Sequence, residues 1–288
     1  MVPRAAFSVE PGCKAHDKSP VSCRNHCQGQ PSGKLWLACF SLLFSFSATA
    51  QLRIVDYNTG GAARPSLSTV LAAMGAESVN GIAKAPDVFT LQEQGSSATT
   101  TQAIVEMLND LYGTGTYSRA TEDGGTSGGG RVGLIFNSRT TQLIAQTDAS
   151  TVSTSGAARE TQRYQLRPVG YDSAADFYVY ASHYKASNDA PSAARRHVEA
   201  QEVRANGDAL GSAHLIYAGD FNVYTSSEAM FQTLTAPGPG QAFDPINRPV
   251  RGRTTLPSRT SILSRPQPHR VTPDKFSAVW TIASTSSW

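Results

Sequence analysis

The stretch His214–Asn222 constrains the fold more than any other part of the chain, because a short apolar strand there ends in polar residues. Leu215–Ala218 has the length and composition of a buried strand and stops at Gly219. Asp220 and Asn222 follow, and strand alternation would send both side chains to the same side. A buried carboxylate with no partner is energetically costly, so this placement indicates a ligand site. A plain turn is the alternative, because glycine, aspartate and asparagine are also common turn residues.

Other predicted strands end in the same way. Three alternating segments each finish on a side chain that can bind a metal ion, a proton or a phosphate: Leu52–Asn58, Asp87–Glu93 and Phe177–His183. Any one of them could be an ordinary solvated strand end. Four together indicate one shared rim. Lys185 would lie on the same side as His183 if that strand continues, and it could contact a phosphate there.

Four short motifs along the chain resemble the endonuclease/exonuclease/phosphatase superfamily. They occur in this order: Tyr-Asn at 57–58, Leu-Gln-Glu at 91–93, Ser-His-Tyr-Lys at 182–185 and Gly-Asp-Phe-Asn at 219–222. Gly-Asp-Phe-Asn after a strand is the most specific of the four. The resemblance covers roughly residues 52–249 and implies an α+β fold, a four-layer α/β/β/α sandwich, with one domain over residues 51–249.

The resemblance also implies a role for each residue of the rim. Glu93 would bind Mg²⁺ (or Mn²⁺), with Asn58 in the shell of the metal. Asp220 would orient and deprotonate the attacking water, while Asn222 and His183 would hold the non-bridging phosphate oxygens. The expected activity is metal-dependent hydrolysis of a phosphodiester, in a nucleic acid or a phospholipid head group. No stable protein partner is expected, and the protein should be a monomer.

The segments between the motifs predict mixed α and β structure. Helices are expected at Ser66–Met74, at Ser96–Leu111 and in a long segment from Pro191. In that last helix Glu199 and Arg204 are expected to face outward. Val132–Phe136 and Thr141–Ala145 are expected to pair around a turn, and Gly124–Gly130 to form a flexible surface loop.

Charge is distributed unevenly along the chain. Residues 51–250 hold 14 lysines and arginines against 19 acidic residues, whereas residues 251–288 hold six basic residues and one acid. The expected folded body is therefore mildly acidic. This argues against a strong sequence-independent nucleic-acid surface.

The first 50 residues predict an N-terminal extension that ends in a signal peptide. Lys34 precedes about twelve mostly apolar residues, and Ala48-Thr49-Ala50 supplies the small residues that a signal peptidase reads. Cleavage after Ala50 would deliver a secreted or periplasmic protein. A buried core helix is the alternative interpretation. All four cysteines lie before residue 51, so the remainder needs no disulfide.

Residues 250–288 differ in character from the segment before them. They are rich in Arg, Ser, Thr and Pro, and they lack the terminal Ser-Asp-His motif that the resemblance implies. A coding sequence shifted by one nucleotide could give an acidic, alternating strand in place of Trp280–Trp288. This favours a frameshift near Pro249, with a domain that is incomplete at its C-terminal end. The alternatives are a genuine disordered basic tail and, for the whole chain, a catalytically impaired relic or a phosphate-binding module.

Overall fold

The computed structural model describes residues 52–61, 63–79, 81–125, 128–151, 159–211 and 213–244, and the backbone at 282–283. The chain divides into two compact units, Met1–Thr49 and Ala50–Trp288, and all described residues belong to the second. The predicted signal peptide and nearly all of the predicted tail lie outside the described residues. Within those residues, no helix is long and apolar enough to cross a membrane.

The first sheet carries two of the predicted strand ends. Its strands are β1 Ile54–Asn58, β4 Val88–Gln94, β5 Tyr117–Arg119 and β6 Arg131–Asn137, and a separate small hairpin consists of β2 Ser78–Val79 and β3 Ile82–Ala83. The order in the sheet is β1-β4-β6-β5. Strands β1 and β4 are parallel, and Asn58 is in register with Gln92. The carboxyl ends of these two strands therefore meet at one edge of the sheet.

The second sheet carries the other two strand ends. Its strands are β7 Thr141–Asp148, β8 Gln162–Pro168, β9 Phe177–His183, β10 His214–Asp220 and β11 Ile282–Ala283. Their order is β11-β10-β9-β8-β7. Strands β9 and β10 are parallel, and their last registered pair is His183 with Asp220. The sequence predicts no strand at Ile282–Ala283, whose backbone pairs antiparallel with β10.

Helices cover the outer faces of both sheets. They are α1 Leu67–Ala76, α2 Gln102–Tyr112, α3 Ala190–Ala209 and α4 Ala229–Thr235, with a π-helical turn Ser97–Thr101 leading into α2. One apolar cluster joins α1 and α2 to the first sheet, for example through Leu71, Ile104 and Phe89. Another joins α3 and α4 to the second sheet through Val203 and Leu215.

A third apolar cluster lies between the sheets. It contains Val88 and Leu134 from the first sheet and Leu166, Val179 and Ala218 from the second, all at 0% exposure. Strand alternation explains the arrangement, because each central strand presents one set of side chains to the other sheet and one to a helix layer. The three apolar clusters fill the three spaces between four layers, which are helices, sheet, sheet and helices. This confirms the α+β, α/β/β/α sandwich.

Two local predictions are wrong. Strand β6 pairs with β4 and β5, whereas β7 pairs with β8 in the other sheet, so the chain changes sheets at this turn instead of forming a hairpin. In α3, Glu199 is 0% exposed and Arg204 is 7% exposed, although both were expected to face outward. Both charged side chains turn inward to bind main-chain groups, Glu199 at the loop after β9 and Arg204 at the C-terminal end of α4.

Candidate active site

The structure brings Asn58, Glu93 and Asp220 together across the two sheets. The amide Nδ2 of Asn58 donates to Glu93 Oε1 and to Asp220 Oδ2, at 3.1 Å in each case. Asn58 Oδ1 accepts the main-chain N–H of Gly60 at 2.9 Å. One carboxylate from each sheet thus meets at a single amide group. This confirms the shared rim expected for these three residues.

The backbone turns sharply at two residues of the site. Glu93 has φ 57° and Asn222 has φ 46°, both in the left-handed region that residues other than glycine seldom adopt. At Glu93 the register between β4 and β6 shifts, which marks a bulge next to the end of the strand. Such backbone strain often accompanies functional sites. Here the bulge at Glu93 takes its side chain out of the regular alternation of β4.

Asn222 reaches the site by a turn and not by strand alternation. Strand β10 ends at Asp220, whose Oδ1 accepts the main-chain N–H of Asn222 at 3.2 Å. The Asn222 side chain then donates to Tyr184 O at 3.0 Å, beside His183. A tight turn therefore follows the strand, and it places the Asn222 amide beside the end of β9.

His183 is buried and electrically neutral near pH 7. Burial, and to a smaller extent the Arg159 charge, lowers the pKa of His183 to about 4. Its Nε2 lies 3.8 Å from Asp220 Oδ2, which is within ion-pair distance but too long for a hydrogen bond. Because the ring is neutral, this contact is not an ion pair. The buried Nδ1 has no hydrogen-bond partner among the described residues.

Lys185 lies beyond the end of β9, so the alternation that would put it beside His183 does not reach it. Its Nζ donates to Ala186 O at 3.0 Å, and its main-chain N–H donates to Glu199 at 3.0 Å. The structure therefore places Lys185 next to the rim without directing its amine at the other site residues.

A third carboxyl group, in addition to Glu93 and Asp220, lies beside the site. Asp56 Oδ1 accepts hydrogen bonds from Thr90 Oγ1 and, at 2.7 Å, from Gln92 Nε2. Burial raises the pKa of Asp56 to about 7, and the nearby Asp220 charge adds to this effect. Asp56 is two residues before Asn58, so strand alternation could have identified it from the sequence.

Arg159 is the main site residue that sequence reasoning missed. Its Nη1 donates to the carbonyls of His183 at 3.2 Å and Tyr184 at 2.5 Å, and its Nε donates to Gly128 O at 2.9 Å. Strand β8 runs antiparallel to β9, so residues just before β8 lie beside the end of β9. That topology is the signal that points to Arg159.

Gly129 and Gly130 lie against the site. Gly130 has φ 79°, and a Cβ placed on it would lie 2.6 Å from Glu93 Cα. A Cβ placed on Gly129 would likewise clash with the Arg159 guanidinium. Gly128 and Gly129 are exposed, as expected for a surface loop, and the loop reaches the rim at Gly129 and Gly130. Only a residue without a side chain fits at Gly130.

The donor set suits a hard divalent cation with few protein ligands. Mg²⁺ is usually held by one or two carboxylates and keeps several waters or substrate oxygens. Glu93 and Asp220 both accept a hydrogen bond from Asn58 Nδ2, so two carboxylates converge at this point. A divalent cation bound there would offset their negative charge. The described residues contain no group of three or more His, Cys, Asp or Glu side chains arranged to hold a metal ion. A site rich in nitrogen or sulfur ligands, as zinc prefers, is not present among them.

Several solved structures are similar to this chain. The human nocturnin catalytic domain with bound sulfate shares 18% identity over 52% of this chain and 56% of that chain, with a TM-score of 0.41. An endonuclease/exonuclease/phosphatase from Bacteroides vulgatus shares 15% identity over 55% and 60% of the two chains, with a TM-score of 0.41. A protein of the same family from Bacteroides thetaiotaomicron shares 14% identity over 63% and 66%, with a TM-score of 0.43.

The chain thus spans less than two thirds of the length of these three structures. No protein-family model matches the chain, and no curated protein matches it.

Proposed function

We propose that this protein is a metal-dependent phosphoesterase of the endonuclease/exonuclease/phosphatase type that hydrolyses phosphodiesters with water as the nucleophile. The observation that carries the proposal is the meeting of Asn58, Glu93 and Asp220 at the ends of strands from two sheets. A neutral histidine, His183, lies next to them. Two of the similar structures are endonuclease/exonuclease/phosphatase proteins, a family name that denotes phosphate-ester cleavage.

Asp220 is the residue that would accept a proton from the attacking water. Its side chain is 2% exposed, and it is held from both sides, since Asn58 donates to Oδ2 and the Asn222 N–H donates to Oδ1. A carboxylate has about four lone-pair sites, so these two bonds leave acceptor capacity for a water molecule. A fixed carboxylate in this position can act as a general base.

His183 and Asn222 would hold the non-bridging oxygens of the phosphate. A neutral imidazole has one N–H to donate, and its pKa near 4 keeps it in that state through the neutral range. The Asn222 amide uses one N–H on Tyr184 O and keeps a second for a ligand. Both groups therefore bind phosphate oxygens without taking the proton that Asp220 removes.

Glu93 and Asn58 would hold the divalent cation, Mg²⁺ or Mn²⁺. When bound, the cation would polarise a phosphate oxygen and offset the negative charge that develops during the reaction. Asn58 would bind the cation through Oδ1. That oxygen accepts the Gly60 N–H in the structure, so it would exchange this bond for the cation. The mildly acidic body argues against a long, sequence-independent nucleic-acid footprint and favours a phosphodiester bound at the site alone.

The proposal is tested with purified full-length protein, Mg²⁺ or Mn²⁺, and bis(p-nitrophenyl) phosphate. Wild type should release p-nitrophenol, and Asp220→Asn should lower kcat by about 10²- to 10⁴-fold, the usual contribution of a general base. Asp110→Asn, an exposed aspartate on α2, is the matched control and should retain the wild-type rate. No turnover by well-folded wild type would contradict the proposal. Phosphate binding in that case would identify a phosphate-binding module instead.

A further inference from the structure

Helix α3 carries two fully buried charged residues, Arg196 and Glu199, one helical turn apart. Both are 0% exposed. Burying a charge is costly unless other groups compensate for it, so a helix that buries two charges needs a specific reason. The hydrogen bonds of these two side chains supply that reason.

Together the two side chains hold both peptide groups of Lys185. Glu199 Oε2 accepts the Lys185 N–H at 3.0 Å, and Arg196 Nη1 donates to Lys185 O at 2.8 Å. The other Glu199 oxygen, Oε1, accepts the main-chain N–H of Arg159 at 3.3 Å. Lys185 lies beyond the end of β9, where the backbone has left the ladder. Side chains of α3 replace the missing strand partners there.

Arg196 extends this hold to the loop that follows Asn222. Its Nε donates to Glu228 Oε2 at 2.9 Å, and Glu228 Oε1 accepts the Tyr224 N–H at 2.7 Å. The guanidinium also lies 5.1 Å from the centre of the Tyr224 ring. On the other side, its Nη1 donates to Ser187 O at 2.8 Å, and Ser187 has φ 87°.

One guanidinium thus joins the loop after His183 to the loop after Asn222. We propose that Arg196 and Glu199 are positioning residues that fix the spacing between these two loops. Through them they set His183 against Asp220 and Asn222. The catalytic consequence rests on the proposed phosphoesterase function, whereas the hold on Lys185 does not depend on it. Reactive geometry is sensitive on this scale, since a misplacement of about 1 Å can lower a rate on the order of 10²-fold.

Helix α3 supplies a matched control in Arg204. This arginine is also buried, at 7% exposure. It too donates to main-chain carbonyls, but to those at the C-terminal end of α4: Thr233 O at 2.9 Å and Ala236 O at 2.6 Å. Lysine keeps the charge and loses the forked donor geometry of arginine. Arg196→Lys and Arg204→Lys should therefore both lower the thermal midpoint. Only Arg196→Lys should lower kcat, by about 10- to 100-fold, with KM changed by less than about threefold.

Glu199→Gln tests the other half of the pair. The substitution keeps the volume of the side chain but turns one acceptor into an NH₂ group that faces a main-chain N–H. At least one of the two amides bound by Glu199, that of Lys185 or that of Arg159, should therefore exchange its hydrogen at least tenfold faster than in wild type. The control is Glu202→Gln on the same helix, because Glu202 accepts the N–H of Thr151 and not of Lys185. That variant should leave Lys185 exchange unchanged.

The two readouts separate this inference from the proposed function. Amide exchange at Lys185 can be measured without turnover. An inactive wild type would therefore contradict the phosphoesterase proposal, whereas Glu199→Gln would still test whether Glu199 binds the Lys185 main chain. An equal loss of kcat in Arg196→Lys and Arg204→Lys would show that Arg196 has only a structural role and would overturn the inference. Wild-type exchange of both the Lys185 and the Arg159 amides in Glu199→Gln would overturn it as well.

Discussion

Replacing Asp56 with asparagine should change the free energy of unfolding differently at two pH values. Relative to wild type, the variant should gain stability between pH 4.5 and pH 8. Asp56 Oδ1 accepts hydrogen bonds from Thr90 and Gln92, and asparagine can keep both with its own Oδ1. Asp56 Oδ2 is buried and has no partner among the described residues. The substitution therefore preserves the existing bonds and removes the titration.

The sign and the size follow from the pKa of Asp56. Burial raises this pKa from 3.8 to about 7, so protonated Asp56 contributes stability that is complete below pH 3.8 and is lost as the pH rises through 7. Integrating over the roughly 2.5 pH units from 4.5 to 7, at about 1.4 kcal/mol per unit, gives a loss of about 3 kcal/mol in wild type. Asparagine does not suffer this loss. Any cost of burying the new amide is the same at both pH values and cancels.

The assay is urea unfolding at pH 4.5 and pH 8, followed by circular dichroism with EDTA present. His183 acts with the opposite sign, because its lowered pKa of about 4 gives stability that is present above pH 6.5 and lost as the pH falls through 4. It is present in both proteins, so it also cancels in their difference. The stability advantage of Asp56→Asn should grow by about 3 kcal/mol between the two pH values. A difference that is equal at both pH values would refute the reasoning that Asp56 titrates within this range.

Three further results are expected. Mg²⁺ at 100 times its dissociation constant should stabilise wild type by about 2.7 kcal/mol in thermal melts, and Glu93→Gln should abolish the gain without unfolding the apo protein; an unchanged response would remove Glu93 from the metal site. Gly130→Ala should destabilise the fold more than Gly115→Ala, because both have positive φ but only Gly130 faces backbone, with Glu93 Cα 2.6 Å from the added Cβ; equal unfolding midpoints would contradict the packing described for the rim. N-terminal sequencing of exported protein should begin at Gln51, and intact protein retained in the cytoplasm would contradict the signal-peptide prediction.

Sequence patterns were sufficient to find the rim because each of its main residues lies at the end of a strand or one residue before it. Asn58, Glu93, His183 and Asp220 follow alternating or apolar segments, and parallel pairing of β1 with β4 and of β9 with β10 brings their ends together. The structure brings these residues together even where the local geometry differs from strand alternation. Asn222, for example, arrives through a left-handed turn and not through alternation.

What the sequence did not predict depends on contacts between distant segments. Strands β6 and β7 are close in the chain, yet they join different sheets because their partners lie elsewhere. The inward direction of Glu199 cannot be read from helical periodicity, since its partners are main-chain N–H groups of two distant residues. The frameshift near Pro249 stays a prediction, because residues 245–281 lie outside the described residues.

The most direct test of the central claim is hydrolysis of bis(p-nitrophenyl) phosphate in ¹⁸O-labelled water with Mg²⁺. Water attack at phosphorus, assisted by Asp220, predicts one ¹⁸O atom in the p-nitrophenyl phosphate and none in the released p-nitrophenol. Asp220→Asn should form the labelled product at least about 100-fold more slowly, as expected when a general base is removed. Label in the p-nitrophenol, or an undiminished rate in Asp220→Asn, would contradict the claim that this rim directs water to a phosphodiester.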